Sequence, residues 1–161
     1  MTSPHFSPAP NELLRDAGLK VTAPRLAVLL AVERSPHSDA DSLFAAVRHE
    51  LPGTSLQAVY GVLGALTSAG LVRRIEPATS PALYERRIGD NHHHVVCTSC
   101  KAVEDIDCVH GAAPCLAPSS SHGFLIDTAE VTFWGLCPRC QALPGAARAA
   151  SAPPAAPAPA R

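Results

Sequence analysis

No apolar run in this 161-residue chain approaches the roughly 20 residues needed to cross a bilayer. The start, Met1-Thr2-Ser3-Pro4-His5, has neither the charged region nor the apolar core of a secretory signal. Together these absences lead us to expect a cytoplasmic protein with no membrane partner. An excess of one charge is missing too. The first 90 residues carry 9 Lys+Arg against 9 Asp+Glu, so no bulk basic field draws in nucleic acid and any such reading must rest on local pattern. Cofactor loops and activated-nucleophile motifs are also absent, which argues against an enzyme. Apart from one repeated cysteine pair, the chain has no internal repeat.

What the chain does have is a concentration of soft and borderline metal ligands. In Asn91-His92-His93-His94-Val95-Val96-Cys97-Thr98-Ser99-Cys100, three histidines and two cysteines lie close together, the cysteines spaced C-x-x-C. A second pair, Cys137-Pro138-Arg139-Cys140, lies near the end of the ordered-looking sequence. Paired C-x-x-C spacing is a specific zinc signature, and in a reducing cytosol cysteines are more often metal-bound or redox-active than joined in a disulfide framework. Cys97, Cys100, Cys137 and Cys140 would close a tetrahedral four-thiolate Zn2+ site with no open position, which makes it structural and not catalytic. His92 and His94 are two apart, so on a strand they share a face and His93 points the other way.

Around this stretch we expect an α+β chain of four parts. Residues 1–10 read as a mobile arm, 11–88 as a winged-helix DNA-binding domain, 89–143 as a small zinc-stapled α/β domain, and 144–161 as a disordered Ala/Pro tail. Four helices are expected in the first domain. Asn11 caps Glu12 to Ala17, which Gly18 stops. Thr22 caps a second helix with Pro24 in its first turn and Leu26, Leu29 and Leu30 on its apolar face. Ser38 or Asp39 caps a third, carrying Leu43, Phe44 and Val47. Ser55 caps a fourth, with Val59, Val62, Leu63 and Leu66 at helical spacing and Gly70 as its stop. Strands Leu71–Glu76 and Ala82–Arg87 then form a ribbon joined by a loop. Beyond residue 90, Val95-Val96, Val103–Ile106 and Gly123–Leu136 are β-rich.

Helices followed by a ribbon describe a winged helix, whose last helix enters the major groove. On that helix Ser55, Gln57, Tyr60, Thr67 and Ser68 face outward, and Gln can read adenine with two hydrogen bonds. Lys20 and Arg25 by the second helix, with Arg73 and Arg74 on the wing, are the candidate phosphate contacts on double-stranded DNA.

With these elements in place, the chain from about Leu13 to Leu143 resembles a ferric uptake regulator (Fur) family repressor. The resemblance is carried by Gly18-Leu19-Lys20-Val21-Thr22-Ala23-Pro24-Arg25, by Ala58-Val59-Tyr60 with Gly70-Leu71-Val72, and above all by Asp90-Asn91-His92-His93-His94-Val95-Val96-Cys97. The segments Asp105–Cys108, Ala113–Leu116 and Ala129–Gly135 are similar to the actinobacterial CatR/FurA branch, which resembles the peroxide-sensing PerR proteins.

The resemblance implies a homodimer on a palindromic operator and a regulatory Fe2+ or Mn2+ held by His37, Glu85, His92, His94 and Asp105. That mixed nitrogen and oxygen set suits Fe2+ or Mn2+ better than a thiolate-preferring ion. Ligands drawn from both domains would favour one relative orientation, the one that binds DNA. Asp at position 105 is similar to the peroxide sensors, which implies a metal-dependent repressor of a catalase-peroxidase gene and of its own gene, with His37 and His92 as oxidation targets. Cys108 and Cys115 are a rival thiol switch. An iron-responsive repressor, a metal or thiol redox enzyme, and a zinc-ribbon adaptor are the alternatives. The second His/acid site of many relatives is not expected, because Asn91, Ala112 and Ala129 stand where ligands would be.

Overall fold

The computed structural model describes residues 8–108, 118–126 and 129–144 of the chain. Cys115, the arm before Pro8 and the tail beyond Pro144 lie outside the described residues. The chain divides into two compact units, residues 1–90 and 91–161.

The first unit is built on α1 (Pro10–Asp16), α2 (Ala23–Arg34), β1 (Ser38–Asp39), α3 (Ala40–Glu50), α4 (Leu56–Ser68), β2 (Arg73–Ile75) and β3 (Leu83–Glu85). Local chemistry sets most of these boundaries. Thr22, Asp39 and Ser55 each turn a side-chain oxygen onto a backbone N–H of the first turn of α2, α3 and α4. Gly18 and Gly70 end α1 and α4 in the left-handed region, at φ +72 and +68. Beyond each glycine the next N–H donates back five residues, Leu19 to the Leu14 carbonyl and Leu71 to the Leu66 carbonyl, which satisfies the last carbonyls. α1 departs from expectation. Its cap is Ala9, not Asn11, because Pro10 fixes the first helical φ and the Glu12 carboxylate accepts the Ala9 N–H.

α2 packs against α1, α3, α4 and β3, so it is buried on more than the single expected face. Ala27, Val28, Leu29, Ala31 and Val32 are all in the core, joined by Leu14, Leu43, Val47, Val59, Leu63 and Leu66. Fully burying a side chain such as Leu63 is worth about 1.5–3 kcal/mol, and this unit contains many of them.

The wing sheet has one strand more than expected. β1 pairs antiparallel with β3, and β3 with β2, giving the order β1-β3-β2. A two-residue strand carries no readable alternation, and β1 exists only because β3 lies beside it. Thr67, expected on the outer face of α4, is half-buried with its hydroxyl out of water and no hydrogen-bond partner among the described residues.

In the second unit β4 (His92–Cys97), β5 (Val103–Asp107) and β6 (Thr132–Gly135) form a sheet in the order β5-β4-β6, followed by α5 (Pro138–Gln141). β4 and β5 pair antiparallel, whereas β4 and β6 run parallel. Of the β-rich run Gly123–Leu136, Thr132–Gly135 form a strand among the described residues, paired with β4. α5 was not anticipated; four residues are too few for a helical period to show. Among the described residues no helix is long and apolar enough to cross a membrane.

Candidate functional site

The parallel register of β4 and β6 assembles the thiol cluster. Cys97 closes β4 and lies opposite Gly135 at the end of β6, which brings Cys137, two residues further on, beside it. The Thr98 N–H and hydroxyl both donate to the Gly135 carbonyl, at 2.7 and 3.2 Å, tying the two knuckles together. Lys101 turns the first knuckle back with φ +63, and its N–H donates to the Cys97 carbonyl. Cys137 precedes α5, and Cys140 on that helix is buried.

The ligand atoms of Cys97, Cys100, Cys137 and Cys140 all lie within 4.8 Å of one another. A tetrahedron with Zn–S bonds of about 2.3 Å has edges of about 3.8 Å, and the Sγ atoms of Cys100 and Cys137 are 3.7 Å apart. A disulfide requires about 2.05 Å, and all four thiols are free. The set therefore fits a tetrahedral zinc ion.

The electrostatics of the thiol cluster favour a shared cation. The backbone N–H groups of Cys100 and Cys137 donate to Cys97 Sγ at 3.5 and 3.4 Å and pull that thiol down to about 6. Cys140 is pushed up to about 11. A hydrogen bond with Ser99 works downward there, but is outweighed by Cys137, burial, Cys100 and Cys97. Four neighbouring thiolates repel one another, and only a shared dication lets them all ionise.

Each unit also holds its own nitrogen and carboxylate donors. In the first unit His37 adopts a left-handed backbone, φ +58, while its N–H donates to the Tyr84 carbonyl at 2.9 Å. That geometry brings His37 Nε2 to 3.0 Å from Glu85 Oε2. Glu85 is only 1% exposed, and its other oxygen is 3.7 Å from Arg73 Nε. In the second unit His92 and His94 share a face of β4, their rings edge to face with centroids 5.0 Å apart. Asp105, on β5 directly opposite His94, brings Oδ1 to 3.6 Å from His94 Nε2 and 3.9 Å from His92 Nε2. His93 points the other way and packs edge-on against Phe133 at 6.2 Å. Within each unit, nitrogen and carboxylate donors thus converge without any thiol, a set that fits a harder ion than zinc-thiolate chemistry selects.

The expected DNA set is more divided. Gln57 and Tyr60 on α4 and Lys20 before α2 are exposed. Ser55 spends its hydroxyl on the Ala58 N–H, 3.1 Å away. Arg25 donates to the Lys20 carbonyl at 2.9 Å, bracing the entry to α2. On the wing Arg74 is bonded to Glu76, and Arg73 lies against Glu85. Sequence reasoning assigned Arg73 to phosphate and missed its pairing with Glu85. The only signal was strand register, which sets the two residues opposite each other. Cys108 is half-buried and forms no disulfide with any cysteine among the described residues. Ile106, Phe124, Leu125, Ile126, Phe133 and Trp134 leave a large apolar exposure on the second unit.

The sequence matches the ferric uptake regulator family over residues 16–133. It is 60% identical over 129 residues to the transcriptional regulator FurA of Mycobacterium tuberculosis, covering 80% of this chain and 88% of that one. The fold is similar to the peroxide stress regulator of Campylobacter jejuni, with a TM-score of 0.59 and 29% identity over 81% of this chain and 95% of that one. It is also similar to the ferric uptake regulator of Pseudomonas aeruginosa solved with manganese, with a TM-score of 0.61 and 25% identity over 81% and 99%. With its clustered thiols, nitrogen and carboxylate donors and α+β fold, this chain belongs to the ferric uptake regulator family of metal-responsive transcriptional regulators, and it is not an enzyme.

Proposed function

We propose that this protein is a dimeric, metal-dependent repressor relieved by peroxide, acting in the cytoplasm on a catalase-peroxidase gene and on its own. Cys97, Cys100, Cys137 and Cys140 hold a permanent Zn2+. His37 and Glu85 of the first unit, with His92, His94 and Asp105 of the second, take the regulatory Fe2+ or Mn2+. The observation that carries this reading is the separation of donors: the four thiols cluster by themselves, while His37 meets Glu85 in the first unit and His94 meets Asp105 in the second with no thiol among them. Ligands contributed by both units would bind one arrangement of the chain better than others, and that difference in affinity shifts the population. The repressing arrangement sets the two α4 helices of a dimer at the spacing of palindromic half-sites.

Peroxide response is supported by the carboxylate at 105 being Asp, the residue that resembles the peroxide-sensing branch, and by similarity to the C. jejuni peroxide stress regulator. When bound, Fe2+ would supply one-electron chemistry toward peroxide. His37 and His92 are the side chains we expect to take up oxygen, and losing either imidazole removes a ligand. Dimerisation is supported by the exposed apolar side chains Ile106, Phe124, Leu125, Ile126, Phe133 and Trp134, whose exposure is costly in an isolated subunit. Lys20, Arg25, Ser55, Gln57, Tyr60, Arg73 and Arg74 form the proposed DNA face, Arg73 and Arg74 first having to leave their carboxylates.

The test is a gel shift on the protein's own promoter and a neighbouring catalase-peroxidase promoter, with Mn2+, Fe2+ or a chelator. Binding that needs metal, and that peroxide abolishes with Fe2+ but not Mn2+, is the expected result. Peptide mass spectrometry of the released protein should show oxygen on His37 or His92. Unmodified histidines with a new Cys108–Cys115 link would transfer the switch to the thiols, and no binding with any metal would refute the repressor.

A further inference from the structure

The three strands of the wing sheet place one charged or titratable side chain each in a single row. His37 stands at the head of β1, Glu85 on the central β3, and Arg73 opposite Glu85 on β2. The Glu85 carboxylate is buried and divided between them, Oε2 lying 3.0 Å from His37 and Oε1 3.7 Å from the Arg73 guanidinium. The other wing arginine, Arg74, pairs with Glu76 and has no place in the row.

We propose that Arg73 and the regulatory cation compete for the charge of Glu85, so that Arg73 sets the metal threshold and carries the metal signal into the wing. This rests on the reading that Glu85 and His37 are regulatory ligands. A buried carboxylate shared by a guanidinium and a dication must satisfy two cations with one negative charge, in surroundings that screen poorly. Each weakens the other's hold. With no cation bound, the Arg73 guanidinium is a positive charge held beside Glu85. With a cation drawing on Oε2, the attraction holding Arg73 falls, and its guanidinium becomes available to a DNA phosphate beside the wing. By linkage, the factor by which the bound ion strengthens DNA binding is also the factor by which bound DNA strengthens ion binding.

Competition leaves a signature that ordinary support of the site does not. A residue that merely orients a ligand lowers metal affinity when removed, typically 10–100-fold. Removing the charge of a competitor raises it. We therefore expect Arg73→Gln to bind Mn2+ about tenfold more tightly than wild type in chelator competition. The same variant should bind DNA more weakly when saturated with Mn2+, its salt dependence falling by about one phosphate contact. Arg73→Lys, which keeps the charge, should return Mn2+ affinity to within about threefold of wild type by the same reasoning. Arg34→Gln, at a residue that pairs with Glu50 and belongs to neither the ligand set nor the DNA face, should leave Mn2+ affinity unchanged.

Melting of the zinc-loaded, Mn2+-free proteins establishes that the variants are folded. Weaker Mn2+ binding by Arg73→Gln, or affinity that Arg73→Lys fails to restore, would overturn the competition. So would unchanged affinity in Arg73→Gln while Glu85→Gln abolishes the same Mn2+ site, and that outcome spares the ligand assignment. Undiminished Mn2+ binding in Glu85→Gln would overturn both.

Discussion

Replacing Cys97 by serine should remove the zinc and unfold the second unit while leaving the first intact. The two units differ sharply in what holds them. The core cluster from Leu14 to Tyr84 lies wholly within the first unit. In the second unit the buried apolar side chains among the described residues are Val96, Cys97 and Cys140, and two of these three are thiols of the proposed zinc site. Burying Val96 contributes about 1.5–3 kcal/mol, against roughly 1–2 kcal/mol of backbone entropy for every residue ordered. A structural zinc contributes about 10–16 kcal/mol, comparable to the whole stability of a small domain, about 5–15 kcal/mol. Serine does not ionise near neutral pH, and it removes the sulfur that accepts the N–H groups of both Cys100 and Cys137. The assay is hydrogen exchange followed by peptide mass spectrometry, with zinc counted per chain and mass measured by light scattering. Protection of β4 and β6 should collapse, the dimer should be lost, and protection of α2 and α4 should persist. Cys108→Ser is the control and should keep its zinc. A zinc-free Cys97→Ser protein with protected β4 and a normal dimer would refute the reasoning.

Other consequences can be checked separately. His94→Ala should lose Mn2+ binding while keeping one zinc per chain, because its ring faces Asp105 and takes no part in the thiol cluster; metal analysis after dialysis decides it. Gly70→Ala should cost about 1–2 kcal/mol in denaturant unfolding, the penalty of a side chain in the left-handed region, since an added Cβ meets nothing within 4 Å. Leu63→Ala, at a fully buried position, should cost about 2–5 kcal/mol through lost burial and the cavity left behind. Zinc uptake by the metal-free chain should weaken as pH falls. With Cys97 near 6 it is already thiolate at pH 7, but Cys140 near 11 is protonated and must give up its proton to the ion. Each proton displaced lowers apparent affinity about tenfold per pH unit, and the released proton can be counted in weak buffer; pH-independent uptake would contradict it.

The parts of this molecule that local chemistry controls were legible in the sequence. Thr22, Asp39 and Ser55 cap their helices through oxygens that reach N–H groups only three residues on, and Gly18 and Gly70 supply left-handed stops. The two C-x-x-C pairs carry their metal preference in ligand type and spacing. That His92 and His94 share a face, with His93 opposite, follows from the twofold period of a strand. What the sequence could not show depends on partners far away in the chain. β1 exists only beside β3, the bounds of β6 within the β-rich run Gly123–Leu136 follow its pairing with β4, and the parallel pairing that brings Cys137 to Cys97 spans 40 residues. Arg73 is the sharpest case. By composition and place it is a basic residue on a wing, and only the register of β2 against β3 turns it toward Glu85. Propensity, capping and ligand chemistry act within a few residues and are written in the sequence; strand register and shared buried charge are set when distant segments meet, and so belong to the tertiary structure.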